Sequence, residues 1–262
     1  STFMVRCASP VEKLSDFSCL HQLISIAIIT SPTPHHPDTS MMHEVIDSLR
    51  LLKGIERCEL NVICDGFEAR SQDKIKGNPW SMSKIGIITP EAAANYALYC
   101  DKLEEDFRLI SAESSRPMSV TRLESHHGFA WAVQLALNQS KTPYVLVMQH
   151  DRAFHQNFDD VLGIIRQFET DESMRYVGFA TINSAKHDQH QKSQYRLLDE
   201  MLPLCKRLGP TAAGADCPAA DYQLVPLLFW YDSNHLAHAR RYLDIFRPFK
   251  TASPELRALV GP

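Results

Sequence analysis

The 262-residue chain has no apolar run approaching the length of a membrane span, so no membrane-spanning segment is expected in it. It has no surplus of basic residues. Twenty-seven Lys and Arg stand against 31 Asp and Glu, for a formal net charge of -4, and a nucleic-acid partner is not expected. The first residues, Ser1-Thr-Phe-Met-Val-Arg-Cys7, lack the charged-then-apolar pattern of a secretion signal. The seven cysteines are odd in number and include no Cys-x-x-Cys pair. Cys58 and Cys64 flank a predicted strand and lie too far apart along it to bridge each other. Free thiols in a reducing compartment, the cytoplasm, are the expectation. The absence of Gly-x-Ser-x-Gly argues against a serine nucleophile on an elbow turn. There is no internal repeat, low-complexity tract or interdomain linker, so one domain over residues 1–262 is expected.

What is present is ordinary globular composition, 44% apolar and 22% charged, arranged as strands alternating with helices. The most informative stretch is Tyr144-Val-Leu-Val-Met-Gln-His-Asp151, a short apolar run that stops at a polar triplet. It is too short for a confident helix and reads as a buried strand. Upstream, Leu23 to Ile29 is a near-continuous apolar run, the pattern of a strand covered on both faces, and it ends at Thr30-Ser-Pro-Thr-Pro34. Val45, Leu49 and Leu52 recur at helical spacing, with Gly54 as a stop. Leu60 to Cys64 is a second strand, closed by Asp65-Gly66. Strand, helix, strand in this order implies a parallel unit with a right-handed crossover.

Residues 67–83 read as a surface loop, and Lys84 to Ile88 as a short strand or the approach to a helix. Thr89-Pro90-Glu91 is a strong helix start, and that helix is expected to reach Leu109. Val120 to Leu123 is a strand candidate, Gly128 to Leu137 a helix, and Phe158 to Glu169 an amphipathic helix. Tyr176 to Ile182 and Leu224 to Tyr231 complete the strands. Asp232 or Ser233 is expected to cap a helix running to Phe246. Pro10 to Gln22 reads as a short helix, and residues 183–222 as a long irregular segment of the kind that serves function. The fold class is α/β, with a mostly parallel, Rossmann-like central sheet flanked by helices.

Ligands of open α/β sheets bind outside the carboxyl ends of the strands. Three such ends carry polar residues: Thr30-Ser-Pro32, Asp65-Gly66 and Gln149-His-Asp151. Small hydroxyls, exposed backbone and two acids along one edge suit a nucleotide with a divalent metal. Mg²⁺ is usually held by hard oxygen ligands together with substrate phosphates, and an imidazole beside the acid also admits Mn²⁺. For Asp65 and Asp151 the plainer alternative is a turn residue after a buried strand.

In order, these pieces resemble the nucleotide-binding half of a GT-A glycosyltransferase, most similar to family 2. The matching features are Ile28-Ile-Thr-Ser-Pro32, Asp47-Ser-Leu49 and Val62-Ile-Cys-Asp-Gly66. They continue with His127-Gly-Phe-Ala-Trp-Ala-Val-Gln-Leu-Ala-Leu137, which leads into the strand that bears the family's Asp-x-Asp. The resemblance covers residues 23–182 and implies that this half binds the nucleoside diphosphate sugar. Residues 183–250 would then form the side that receives a carbohydrate, protein or small-molecule acceptor. It implies Thr30, Pro32 and Asp65 at the base and ribose, with Gly66, Gly128 and Gln149 lining the substrate site. Asp151, with His150 beside it, would hold the metal that bridges the diphosphate.

The pattern departs from the family at two points. Gln149 stands where the first acid of Asp-x-Asp is expected, and Gly66-Phe67 follows Asp65 in place of a second acid and a serine. No clear acidic pair follows the last strand to act as catalytic base. Asp232, Asp221 and Asp216 are the candidates. Asp232 is preferred because Phe229-Trp-Tyr-Asp232 ends a strand, where Trp230 is placed to stack on a sugar. The alternative for Asp232 is a helix cap. Of the twelve histidines, His235 and His238 sit one turn apart on the expected last helix, a spacing compatible with zinc. The expected activity is metal-dependent glycosyl transfer. The alternatives are a noncatalytic nucleotide- or partner-binding module of the same fold, or a different metal-dependent α/β hydrolase that uses the His and Asp residues.

Overall fold

Residues 17–76, 78–179 and 233–246 are described by a computed structural model of the chain. Their regular elements begin with strand β1 (Ile24–Thr30), helix α1 (Ser40–Ser48), β2 (Leu60–Cys64), β3 (Glu68–Ala69), α2 (Pro79–Ser83) and β4 (Ile87–Ile88). They continue with α3 (Pro90–Glu113), β5 (Met118–Arg122), α4 (Phe129–Gln139), β6 (Tyr144–Gln149), α5 (Val161–Thr170), β7 (Tyr176–Gly178), β8 (His235–His238) and α6 (Ala239–Phe246). Six strands form one sheet in the order β5-β2-β1-β6-β8-β7. The first four are mutually parallel, and β8 runs antiparallel between β6 and β7. The α/β, mostly parallel class expected from the sequence is the class observed.

Period-2 alternation within each central strand divides the core into two layers. Ile24, Ile26 and Ile28 of β1, Leu60 and Val62 of β2, and Leu146 and Met148 of β6 face one way. They pack with Met42 and Val45 of α1, Leu103 and Phe107 of α3, and Ile165 and Phe168 of α5. Ala27, Ile29, Ile63, Val145 and Val147 face the other way, onto Val133 and Ala136 of α4 and Tyr242 and Phe246 of α6. Each such aliphatic side chain, fully buried, contributes roughly 1.5–3 kcal/mol. The capping signals behave as their chemistry demands. The Thr89 hydroxyl accepts from the Ala92 amide at 3.1 Å, with Pro90 opening α3. Asp160 likewise accepts from Gly163 at 2.9 Å to start α5.

Several expectations are corrected. The segment read as a loop over 67–83 contains β3, which pairs in parallel with β4, and the single turn of α2. Helix α1 stops at Ser48 and passes into a 3-10 turn, Leu49–Leu51, short of the stop expected at Gly54. The described end of the first helix, Phe17–Gln22, is 3-10 and not α. The largest correction is the helix expected from Asp232 or Ser233. Residues His235–His238 form strand β8, and the helix begins only at Ala239. His235, Leu236 and Ala237 are all essentially inaccessible to solvent. An inner strand buries both faces, whereas a surface helix would have exposed one of these residues. His235 and His238, three apart on a strand, therefore point to opposite faces and do not form the helical pair that would suit zinc. The expected strand Leu224–Tyr231, and the part of the Tyr176–Ile182 strand from residue 180 onward, lie outside the described residues.

Candidate functional site

The parallel register brings the three polar strand ends level. Thr30 pairs with Cys64, Ile29 pairs with Gln149, and the His150 amide donates to the Ile29 carbonyl at 3.1 Å. The Asp65 amide in turn donates to the Thr30 carbonyl at 2.8 Å. Thr30, Pro32, Asp65, Gly66, Gln149, His150 and Asp151 thus lie along one edge of the sheet, at the carboxyl ends of its central strands.

Asp65 organises this edge. It is 2% exposed. Its Oδ1 accepts from the amides of Gly66 at 3.0 Å and His127 at 2.9 Å, and its Oδ2 accepts from the Gly128 amide at 2.9 Å. The His126 Nδ1 lies 2.8 Å from the same Oδ2, close but not aligned as a hydrogen bond. Gly128 is the N-cap of α4 at φ 82° and has no side chain to cap the helix. Asp65 supplies the missing carboxylate from β2 and places a buried negative charge at the positive end of the helix. Close backbone approach makes this possible. A β-carbon on Gly66 would lie 2.4 Å from the Ser125 backbone, and one on Gly86 would lie 2.2 Å from the His126 side chain.

The turn after β6 is built differently. The Arg152 amide closes it onto the Gln149 carbonyl at 3.2 Å. His150 is half-buried, with Nδ1 3.4 Å from the Ile29 carbonyl; burial lowers its pKa, although the adjacent Asp151 opposes the shift. Asp151 points outward, its side chain 49% exposed and its Oδ1 3.8 Å from the Arg152 guanidinium. Of the two strand-end acids, Asp65 is enclosed and occupied, and Asp151 is presented.

Three features escaped sequence reasoning. His36 is buried and stacks on Tyr99 at a ring-centroid distance of 4.0 Å, with Tyr96 at 4.9 Å. Its Nδ1 accepts from the Thr33 amide at 3.1 Å, and burial lowers its pKa to about 3. The ring is therefore neutral, with its proton on Nε2. The second feature is Asn234, whose side chain reaches the turn after β6. The third is the Asp65–His126 approach. The sequence carried a weak signal for it in His126-His127-Gly128, but nothing paired those residues with Asp65.

The same loop holds a serine beside an imidazole. Ser125 Oγ and His127 Nε2 lie 3.2 Å apart, whereas the carboxylate of Asp65 faces His126. Serine, imidazole and acid are all present but divided between two rings, so they do not form a relay.

Among the described residues no group of three or more His, Cys, Asp and Glu side chains is placed to hold a metal. The two groups at the turn, His150 and Asp151, fit only an open site in which substrate oxygens supply the remaining ligands, the usual arrangement for Mg²⁺. Cys58, Cys64 and Cys100 are buried and not in disulfides. Asp232 and Trp230 lie outside the described residues. No described helix is long and apolar enough to cross a membrane.

No family model and no curated protein matches the chain. Solved structures do. TarS of S. aureus in complex with UDP aligns with 91% of this chain and 54% of its own, at 12% identity and a TM-score of 0.42. A mannosyltransferase from Pyrobaculum calidifontis, in complex with GDP-Man and Mn²⁺, aligns with 60% of this chain and 35% of its own, at 14% identity and a TM-score of 0.33. A CMP-2-keto-3-deoxy-manno-octonic acid synthetase bound to CTP aligns with 90% of this chain and 81% of its own, at 9% identity and a TM-score of 0.39. The chain spans only 21% to 36% of the length of the first four structures it matches.

Proposed function

We propose that the chain is a GT-A-like domain that binds a nucleoside diphosphate sugar at the β1, β2 and β6 ends and transfers the sugar to an acceptor. The observation that carries this reading is the contrast between the two acids. The Asp65 carboxylate is consumed in holding the α4 entry, and a diphosphate brought against it would meet like charge. Asp151, level with it on the next strand but one, is free to face an anionic ligand through a cation.

In this reading Thr30, Pro32, Gly66 and Gly128 line the nucleotide, with Asp65 shaping that wall, and Gln149 borders the sugar. Asp151 and His150 would hold Mn²⁺ or Mg²⁺. The metal supplies charge stabilisation for the departing diphosphate. Asp232 is the proposed base that takes the acceptor hydroxyl proton, and Trp230 the proposed sugar platform. Residues 183–250 form the proposed acceptor side.

One observation favours a second reading. Gln149 offers a neutral amide where a second carboxylate would strengthen metal binding, as suits a module that binds a nucleotide without turning it over. Incubation with UDP-, GDP-, CDP-, ADP- and dTDP-sugars and Mn²⁺, followed for release of nucleoside diphosphate, separates the two. Transfer or hydrolysis of one donor, reduced at least ~100-fold in Asp151→Ala, is the result expected for an enzyme. Binding without release from any donor would leave the binding module.

A further inference from the structure

Asn234, immediately before β8, is 6% exposed and commits every polar group of its side chain to one feature. Its Nδ2 donates to the Arg152 carbonyl at 2.6 Å, and its Oδ1 accepts from the Gln149 amide at 3.4 Å. Its backbone carbonyl accepts from the Phe179 amide at 2.8 Å, just past β7. One amide therefore spans both ends of the four-residue turn whose middle residues are His150 and Asp151. The turn is also closed by the Arg152-to-Gln149 hydrogen bond at 3.2 Å and tied to β1 by the His150 amide on the Ile29 carbonyl at 3.1 Å.

The chemistry of the residue matters here. The contact needs one donor and one acceptor on a short, rigid group. An aspartate would set an acceptor against the Arg152 carbonyl. A serine cannot reach both ends, and alanine leaves the part-buried Arg152 carbonyl and Gln149 amide without this partner. Strand β8 enters the sheet antiparallel beside β6, so its first turn comes from the same edge at which β6 ends. That topology places Asn234 beside the turn.

We infer that Asn234 is a positioning residue: its amide fixes the Gln149–Arg152 turn so that His150 and Asp151 are presented to a metal-bound diphosphate. This rests on the reading of the site proposed above. It assigns to β8 a role in ligand binding beyond completing the sheet.

The test uses the full chain and compares the wild type with Asn234→Ala, Asn234→Asp and Asn234→Ser. Affinity for UDP, GDP, CDP, ADP and dTDP is measured by calorimetric titration, in Mn²⁺ and in EDTA, well below each variant's melting temperature. The readout is the ratio of the two affinities. A positioning role predicts that the ratio falls at least ~10-fold in the alanine and aspartate variants, while affinity in EDTA stays at the wild-type value. A residue that merely stabilises the fold would lower the melting temperature and leave the ratio unchanged, and that result overturns the inference. Should the wild type itself show no metal-dependent affinity for any nucleotide, the site reading fails and the inference fails with it. The wild-type measurement thus separates the two failures. The serine variant, which keeps a hydroxyl for one end of the turn, is expected to lose less than alanine.

Discussion

The imidazole of His36 lies 4.0 Å from the Tyr99 ring and receives the Thr33 amide on Nδ1, an environment that leaves no room for a second proton. Burial is the main reason its pKa drops from 6.5 to about 3, with the neighbouring His150 and His35 adding to the effect. The sign of the consequence is fixed. Between pH 6.5 and 3 the unfolded chain binds a proton at this position and the folded chain does not, so folding stability falls as pH falls through that window. The slope from this one group reaches up to about 1.4 kcal/mol per pH unit. Urea unfolding from pH 7 to pH 4 should show it, and in His36→Phe the slope should drop by close to one proton. An unchanged slope in that variant would show that His36 is not the group responsible. At this scale the sequence is a poor guide. His36 is one of twelve histidines, and what distinguishes it is the approach of Tyr96 and Tyr99 from α3, some sixty residues away. Asp151 is the opposite case, legible because a carboxylate at the end of an apolar run lands at the carboxyl ends of the central strands by topology alone.

At the scale of elements, α4 is held from outside itself. Its N-cap is a glycine, and the carboxylate that serves it belongs to the end of β2. Truncating Asp65 removes the acceptor for three buried or half-buried amides and the charge at the helix N-terminus. Asp65→Ala is therefore expected to lower the unfolding free energy by about 3–5 kcal/mol, and Asp65→Asn by somewhat less. Denaturant melts measure the loss, and faster hydrogen exchange at the His127 and Gly128 amides should locate it. A variant within 0.5 kcal/mol of wild type, about the usual size for a neutral surface change, would contradict the assignment. The sequence showed both halves of this device, Asp65-Gly66 closing a strand and Gly128 opening a helix, but not that one caps the other. That link depends on glycine at 66, where a β-carbon would collide with Ser125. Strand β8 was misread for a related reason. His235 to His238 has no strong local preference, and its place between β6 and β7 is set by the sheet. The strands with continuous apolar runs, β1, β2 and β6, were legible because burial on both faces leaves its mark in every residue.

At the scale of the whole molecule, the parallel register places the ends of β1, β2 and β6 on one edge, while β8 pairs antiparallel beside the last of them. In the function proposed above this arrangement divides labour: Asp65 builds the wall, Asn234 sets the turn and Asp151 meets the ligand. The most direct measurement is the melting temperature of the full chain with UDP, GDP, CDP, ADP or dTDP, each in Mn²⁺, Mg²⁺ or EDTA, for wild type and Asp151→Ala. A ligand that binds only the folded state must raise it, by the equivalent of about 2.7 kcal/mol at a hundred times the dissociation constant. The account predicts a rise with one nucleotide in the presence of metal, absent in EDTA and absent in Asp151→Ala. No rise with any of the five, or a rise that Asp151→Ala leaves intact, would contradict it.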